Sequence, residues 1–229
     1  MAEPSFRMQH RPDVATHATL EHSLDEVALP ADLAIGGGLQ LSFAGPVSSC
    51  RAEFEQFVMR AFEREHDAVV RTFMPLLVGC RDRERGLRSV VGLRPATGQA
   101  LYLERYLDRP VDEVISVMSG QDVRRDRVVE IGNLAGRNCR ASVRLVASLP
   151  GLLLSMRFDW VVFTATSTVR GILETLGAPL FELAPAGEAC AAGGIDRWGR
   201  YYSSDPRVCA GYLPLARTIP AFAGRSRGH

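Results

Sequence analysis

The sequence contains no lysine, and all 27 residues counted as Lys or Arg are arginine. Without lysine there is no amine for a Schiff base, no P-loop lysine and no serine–lysine dyad. An excess of charge is also missing, because the net charge is only +1. Proteins dedicated to nucleic acid usually carry a strong basic excess, so we expect no nucleic-acid partner.

Residues for metal and nucleophilic chemistry are also scarce. Three of the five histidines fall within residues 1–38, which leaves His66 and the terminal His229. No C-x-x-C, H-x-x-x-H, G-x-S-x-G or G-x-G-x-x-G motif occurs. We therefore expect no metal, no histidine-based triad and no Rossmann dinucleotide site. The five cysteines are odd in number and widely spaced, which disfavours a disulfide framework.

Long apolar runs are absent as well. No stretch approaches the ~18 apolar residues of a membrane-spanning helix. Residues 1–17 are charged and carry no apolar run, so they do not resemble a signal peptide. These features predict a cytoplasmic protein without an integral membrane segment.

From Leu39 onward, the chain shows a regular pattern of apolar segments separated by Gly, Pro and other turn residues. It predicts an N-terminal arm over 1–38, one domain over 39–215 and a tail over 216–229. Within the domain, short apolar strands alternate with amphipathic helices. The predicted elements are strand 39–43, helix 49–67, strands 73–79 and 87–93 as a hairpin around a charged turn at 81–85, helix 110–120, strand 127–131, a helix from about 140 to Pro150, strand 158–164, helix 167–177, strand 180–183 and an aromatic tail, 198–213, that pairs at a sheet edge.

One strand-to-helix junction could carry chemistry. The segment 130–142 ends a strand, turns through small residues and starts a helix, with arginines at Arg137 and Arg140. Helix N-termini expose unpaired N–H groups, and arginine adds charge-assisted contacts to phosphate. The segment fits either a phosphate cradle or an ordinary turn with solvated arginines.

The order of elements resembles the GNAT acyltransferase superfamily, in which the corresponding turn binds the pyrophosphate of coenzyme A. This resemblance implies an α/β (α+β) fold with a mixed, centrally splayed sheet flanked by helices. Two departures stand out. Arg140 lies where the family motif R-x-x-G-x-G/A has glycine, and Leu173 lies where the motif L-Y-E-K-L-G has the tyrosine that protonates the leaving thiolate.

A closer resemblance, from Leu101 to about Tyr212, is to the thermostable hemolysin family. It rests on four motifs in order: 104–108 (ERYLD), 129–135 (VEIGNLA), 160–166 (WVVFTAT) and 198–202 (WGRYY). That family in turn resembles acyl-homoserine-lactone synthases, which use acyl-CoA or acyl carrier protein. The resemblance implies an acyl-CoA or acyl-phosphopantetheine co-substrate and a small-molecule amine acceptor. Acyl carrier protein and a homodimer remain open as partners.

The candidate catalytic residues are Glu130, Glu104 and Tyr202. Glu130 interrupts an apolar strand, so it either serves as a base for the amine or forms a structural ion pair. Glu104 presents the same choice, and Tyr202 could protonate the leaving thiolate in place of Leu173. The candidate coenzyme-binding residues are Gly132, Asn133, Leu134, Ala135, Gly136, Arg137, Asn138, Arg140, Ala141 and Thr166.

These features predict an N-acyltransferase. Two alternatives stay open, namely a membrane-lytic protein, as the family name says, and a non-catalytic module that binds coenzyme A or an acyl group. The lack of a signal peptide and of a strongly amphipathic basic helix argues against lysis. Fold alone does not separate the enzyme from the binding module.

Overall fold

The computed structural model describes residues 32–36, 38–84, 86–137, 139–191 and 194–219, with backbone only at 139 and 140. These residues form a mixed α/β fold in which helices flank one large sheet. Its strands are β1 (Asp32–Gly36), β2 (Leu39–Ala44), β3 (Leu76–Asp82), β4 (Gly86–Pro95), β5 (Val128–Gly136), β6 (Trp160–Ala165), β7 (Phe181–Pro185) and β8 (Arg207–Tyr212).

The strands follow the order β1-β2-β3-β4-β5-β6-β8-β7. Neighbours pair antiparallel except β5 and β6, which run parallel at the centre. The prediction that the aromatic tail pairs at an edge is wrong, because β8 lies between β6 and β7. Four consecutive residues of β8, 208–211, are buried, as an interior strand requires.

The helices cover both faces of the sheet. They are α1 (Arg51–His66), α2 (Val111–Ser119), α3 (Cys139–Ser155), α4 (Ser167–Thr175) and the short α5 (Leu213–Ala216). Leu145, Leu149 and Leu153 of α3 pack on one face, with Val91 and Val129 of the strands. Phe54 and Val58 of α1 pack on the other face, so each face has its own apolar core.

The predicted end of a helix at Pro150 is wrong, because α3 continues to Ser155. Proline inside a helix removes one hydrogen bond at a cost of about 3 kcal/mol. Beyond Pro150, however, the helix buries Leu152 and Leu153 in the core, together with Met156 directly after it. Burial of such side chains stabilises by roughly 1.5–3 kcal/mol each, which offsets the lost hydrogen bond.

Other boundaries differ by a few residues. The sheet begins at Asp32, inside the predicted arm, because β1 pairs with β2. The first hairpin strand lies at Leu76–Asp82 rather than 73–79, which shortens the predicted charged turn. Between β4 and α2, where the sequence predicts no helix or strand, Tyr102–Tyr106 form a 3-10 turn. His10, His17 and His22 of the predicted arm lie outside the described residues.

Candidate functional site

The centre of the sheet opens between β5 and β6. These two strands pair only from Val128 to Ile131 on β5, opposite Trp160 to Phe163 on β6. β5 was predicted to end at this point, but it continues to Gly136. The gap that follows fits the splayed sheet that the resemblance implied.

A bulge at Asn133 shapes β5 along this gap. Gly92 pairs with Gly132 and Val90 with Ala135, so β5 contains one extra residue, and Asn133 has φ 50°. Its side-chain Oδ1 accepts a hydrogen bond from the Met74 backbone N–H at 2.8 Å, and its Nδ2 donates to the Thr72 carbonyl at 3.3 Å. The amide therefore holds the segment before β3 against the bulge.

Two glycines allow this close approach. A Cβ atom at Gly92 would lie 2.6 Å from the Met74 side chain, and one at Gly132 would overlap the same side chain. Packing therefore requires glycine at Gly92, where the Cβ and Cγ of Met74 lie close, whereas at Gly132 only the end of the Met74 side chain would have to move.

A cavity of about 550 Å³ passes through the gap and is lined from both faces of the sheet. We call its two parts the apolar lobe and the polar lobe. The apolar lobe is formed by Val143, Val146, Leu149, Pro150, Leu153, Val169, Ile172, Leu173, Leu180 and Leu213. The polar lobe is formed by Glu65, His66, Arg94, Tyr102, Tyr106, Glu130, Asp196, Trp198, Tyr201 and Tyr202.

Glu130 lies in the wall of the polar lobe and is 3% exposed. Its two carboxylate oxygens accept backbone N–H groups from Tyr102 and Leu103, each at 2.9 Å. The nearest cation is Arg94, at 3.9 Å. Burial raises the pKa of the Glu130 carboxyl, against the lowering effect of these donors. The carboxyl thus anchors a turn and faces the cavity, with lone pairs left for a ligand.

Glu104 occupies a different place, in a recess next to the polar lobe. Its carboxylate accepts N–H groups from Leu101 at 2.7 Å and Val111 at 2.9 Å, and it forms a bidentate pair with Arg125. Burial acts to raise its pKa, but the bonds from Arg125 and the backbone hold the pKa below the ordinary value. The structure does not bring Glu104 to the cavity that Glu130 faces.

Tyr202 belongs to an aromatic cluster around Trp198. Its hydroxyl lies 2.7 Å from that of Tyr106, and both rings line the polar lobe. Burial raises the pKa of Tyr202 to about 12, while a hydrogen bond from Tyr106 acts to lower it. Tyr202 therefore holds its proton at neutral pH and can act as a donor.

The predicted coenzyme residues divide into three groups. Those that line the cavity are Gly132, Asn133, Leu134, Gly136, Arg137 and Thr166. Ala135 and Ala141 are buried outside its lining. Asn138 and the side chain of Arg140 lie outside what the structure describes.

Five polar-lobe residues were missed from the sequence, namely Glu65, His66, Arg94, Tyr102 and Asp196. Arg94 follows the predicted strand 87–93, and only the structure places it within β4. His66 lies at the end of an ordinary amphipathic helix, and Asp196 lies in an irregular segment. Their sequence patterns therefore gave no indication of a functional role. Burial lowers the pKa of His66, which favours its neutral form.

Within the described part of the chain, no group of histidine, cysteine and acidic residues could hold a metal ion. No helix found there is long and apolar enough to cross a membrane.

Comparison with known proteins gives one family. The model of the thermostable hemolysin family matches residues 44–217. No curated protein matches the sequence.

Solved structures of similar fold are more distant. LasI, an AHL synthase, aligns with TM-score 0.54 at 13% identity over 85% of this chain and 100% of its own. TofI in an apo form aligns with TM-score 0.54 at 12% identity, over 80% and 97%. FeeM, an N-acyl amino acid synthase from uncultured soil microbes, aligns with TM-score 0.55 at 13% identity, over 79% and 95%. At such identities the likeness shows a shared GNAT-like fold.

Proposed function

This chain belongs to the thermostable hemolysin family, and we propose that it is an N-acyltransferase that moves an acyl group from a thioester to an amine. The observation that supports this most directly is the cavity through the sheet. A thioester placed in the gap between β5 and β6 would lie between an apolar lobe for an acyl chain and a polar lobe for an acceptor.

We propose a coenzyme A or acyl-phosphopantetheine thioester as the donor. Gly132 to Ala135 would bind the pantetheine arm along the open edge of β5, and the turn from Gly136 to Ala141 would bind the pyrophosphate. Arg137 is exposed at this end of the cavity and can pair with phosphate. These thioesters are made and used in the cytoplasm, which is the location we propose.

The apolar lobe supports a donor with a medium or long acyl chain. Its wall is built from aliphatic side chains, whereas an acetyl group would leave most of that surface uncovered. Burial of each CH2 contributes about 0.8 kcal/mol. Even partial burial of the six additional CH2 groups of octanoyl-CoA therefore supports a preference over acetyl-CoA of about a hundredfold.

In the proposed reaction, the amine nitrogen attacks the thioester carbonyl, a C–N bond forms and the C–S bond breaks. Glu130 accepts the proton that the amine loses, directly or through a water. Tyr202 donates a proton to the leaving thiolate, and Tyr106 donates a hydrogen bond to the phenolate that remains. Solvent then resets both groups. Glu104, which is already paired with Arg125, has a structural role in this scheme.

The test measures binding and turnover separately. Acyl-CoA should raise the melting temperature by mass action, and release of free CoA should require an added amine. Binding without amine-dependent release would favour a non-catalytic module. Lysis of red cells by pure protein, without added substrate, would favour the lytic alternative.

A further inference from the structure

Arg94 is a charged side chain in an unusual position. It lies on β4 opposite Glu130, and its side chain is 22% exposed. It lines the polar lobe and also the neighbouring recess that contains Glu104. Its closest ion-pair contact is Glu130 at 3.9 Å, which is longer than a hydrogen bond. Among the residues that the structure describes, its guanidinium donates no hydrogen bond.

Three other partly buried arginines are hydrogen-bonded to their neighbours. Arg51, Arg170 and Arg125 have side-chain exposures of 13%, 17% and 28%. Each donates at least three hydrogen bonds to carboxylates and backbone carbonyls. A guanidinium has five donors in a planar fork that matches a carboxylate. The guanidinium of Arg94 therefore faces the cavity with hydrogen-bond donors that no neighbouring residue of the described structure uses.

The anion that fits Arg94 is not the phosphate of the proposed coenzyme. Arg94 pairs across the sheet with Glu130, six residues along β5 from Gly136. At about 3.3 Å per residue, this places Arg94 ~20 Å from the turn proposed for the pyrophosphate. It lies instead at the end where the proposed acceptor amine meets Glu130.

We propose that the acceptor is an α-amino acid, whose carboxylate binds Arg94 while its amine faces Glu130. This inference rests on the proposed function. A cation and a carboxylate 3.9 Å apart are complementary to the two charges of an amino acid zwitterion. The ammonium of the bound zwitterion loses one proton to Glu130, which passes it to solvent. The free amine then attacks the thioester, and Glu130 accepts the second proton as the amide forms, whereas the carboxylate stays ionised and keeps its contact. The product is then an N-acyl amino acid.

The experiment follows release of free CoA from octanoyl-CoA and palmitoyl-CoA. The acceptors are the twenty amino acids, and then the amide of the best one, which keeps the amine and side chain but removes the negative charge. We expect kcat/KM for the amino acid to exceed that for its amide by at least tenfold. If the amide, or simple alkyl amines, react equally well, the inference is wrong and the proposed function stands. If no amine releases the thiol from these acyl-CoAs or from acyl carrier protein charged with the same chains, the proposed function itself fails.

Variants of Arg94 identify the group responsible. Arg94→Gln should raise KM for the amino acid by about 10–100-fold and leave KM for the amide unchanged, since a charge-assisted bond is worth about 1.5–3 kcal/mol. Arg94→Lys, which keeps the charge without the fork, should fall between the two. Arg124→Gln, on an exposed arginine paired with Asp126, is the matched control and should match wild type. If Arg94→Gln lowers kcat/KM equally for both acceptors, with a lower melting temperature, Arg94 is only a structural partner of Glu130.

Discussion

The two lobes of the cavity differ in how the chain builds them. The apolar lobe comes mostly from two helices, α3 and α4, whose apolar residues recur at helical spacing. The polar lobe collects single residues from distant segments, such as His66, Arg94, Glu130 and Tyr202. The gap between β5 and β6 joins them. We therefore expect changes in the apolar lobe to alter donor choice and changes in the polar lobe to alter turnover or acceptor choice.

The largest expected effect lies in the polar lobe, at Glu130. Glu130→Gln should lower turnover by about 10²–10⁴, the usual contribution of general-base catalysis, with little change in acyl-CoA affinity. The amide NH2 would face one of the two backbone donors, from Tyr102 or Leu103, so stability should also fall, by about 1–3 kcal/mol. Steady-state kinetics and denaturant unfolding measure the two effects.

In the wild type, turnover should rise with pH through the raised pKa of Glu130, because the base is the ionised form.

Glu104→Gln is the matched control for this carboxylate. It should lower stability by about 2–3 kcal/mol, because it breaks a hydrogen-bonded pair with Arg125, and turnover of the folded enzyme should hardly change. The folded state lowers the pKa of Glu104 below its ordinary value of 4.5. Its contribution to stability is therefore present above about pH 4.5 and is lost as the pH falls through the lower, folded-state pKa. Unfolding curves of both proteins should converge in acid. A selective loss of turnover in this variant would mean that Glu104 has a catalytic role.

The next effect tests the apolar lobe. Ile172→Trp adds a large ring to its wall and should lower kcat/KM for palmitoyl-CoA by about 50-fold, since the loss of roughly three buried CH2 groups costs that much. Acetyl-CoA, which needs little of the lobe, should be used as before. Val117→Trp, on an exposed helical face, is the control. Equal losses for long and short donors would show that the two lobes do not act separately.

A smaller effect is expected at Tyr202. Tyr202→Phe removes the proposed proton donor and should lower turnover by about tenfold, less than typical acid catalysis, because a thiol with pKa near 8.5 leaves readily. Tyr106→Phe should reduce turnover less, since Tyr106 only stabilises the phenolate. Rapid-quench measurement of the chemical step checks both variants. An unchanged rate in Tyr202→Phe would remove it from the proton path.

An effect no larger than this is expected at the coenzyme end of the gap. Arg137→Ala should weaken CoA binding by about tenfold at low salt and less at high salt, because the arginine is exposed and its contact with phosphate is screened. Titration calorimetry at two salt concentrations measures this difference. Arg109→Ala, at an exposed arginine beside Asp108, is the control. Wild-type affinity in Arg137→Ala would mean that Arg137 is only a solvated side chain.

Much of the fold could be predicted because it depends on local patterns. Helices α1, α2 and α4 begin and end within about two residues of their predicted bounds, since their apolar stripes are local signals. The extension of α3 past Pro150 could not be predicted this way. It depends on burial against strands that lie far away in the sequence.

The candidate site was only partly accessible from the sequence. Glu130 was identifiable because a carboxylate inside an apolar strand needs a reason. Its partners, two backbone N–H groups of the Tyr102–Tyr106 turn, were not identifiable, because they come from a region without clear periodicity. Glu104 and Glu130 had similar sequence signals, and only their positions and hydrogen bonds in the structure distinguish them.

By itself, the sequence determined the alternation of strands and helices, the family and the absence of lysine chemistry. The tertiary structure alone decided that β5 and β6 separate after Ile131, that Asn133 holds a bulge beside the gap, and that Arg94 meets Glu130 there. The physical reason is the separation along the sequence over which each interaction acts. Periodicity and capping act over a few residues, whereas the gap and its charges depend on contacts between segments tens of residues apart.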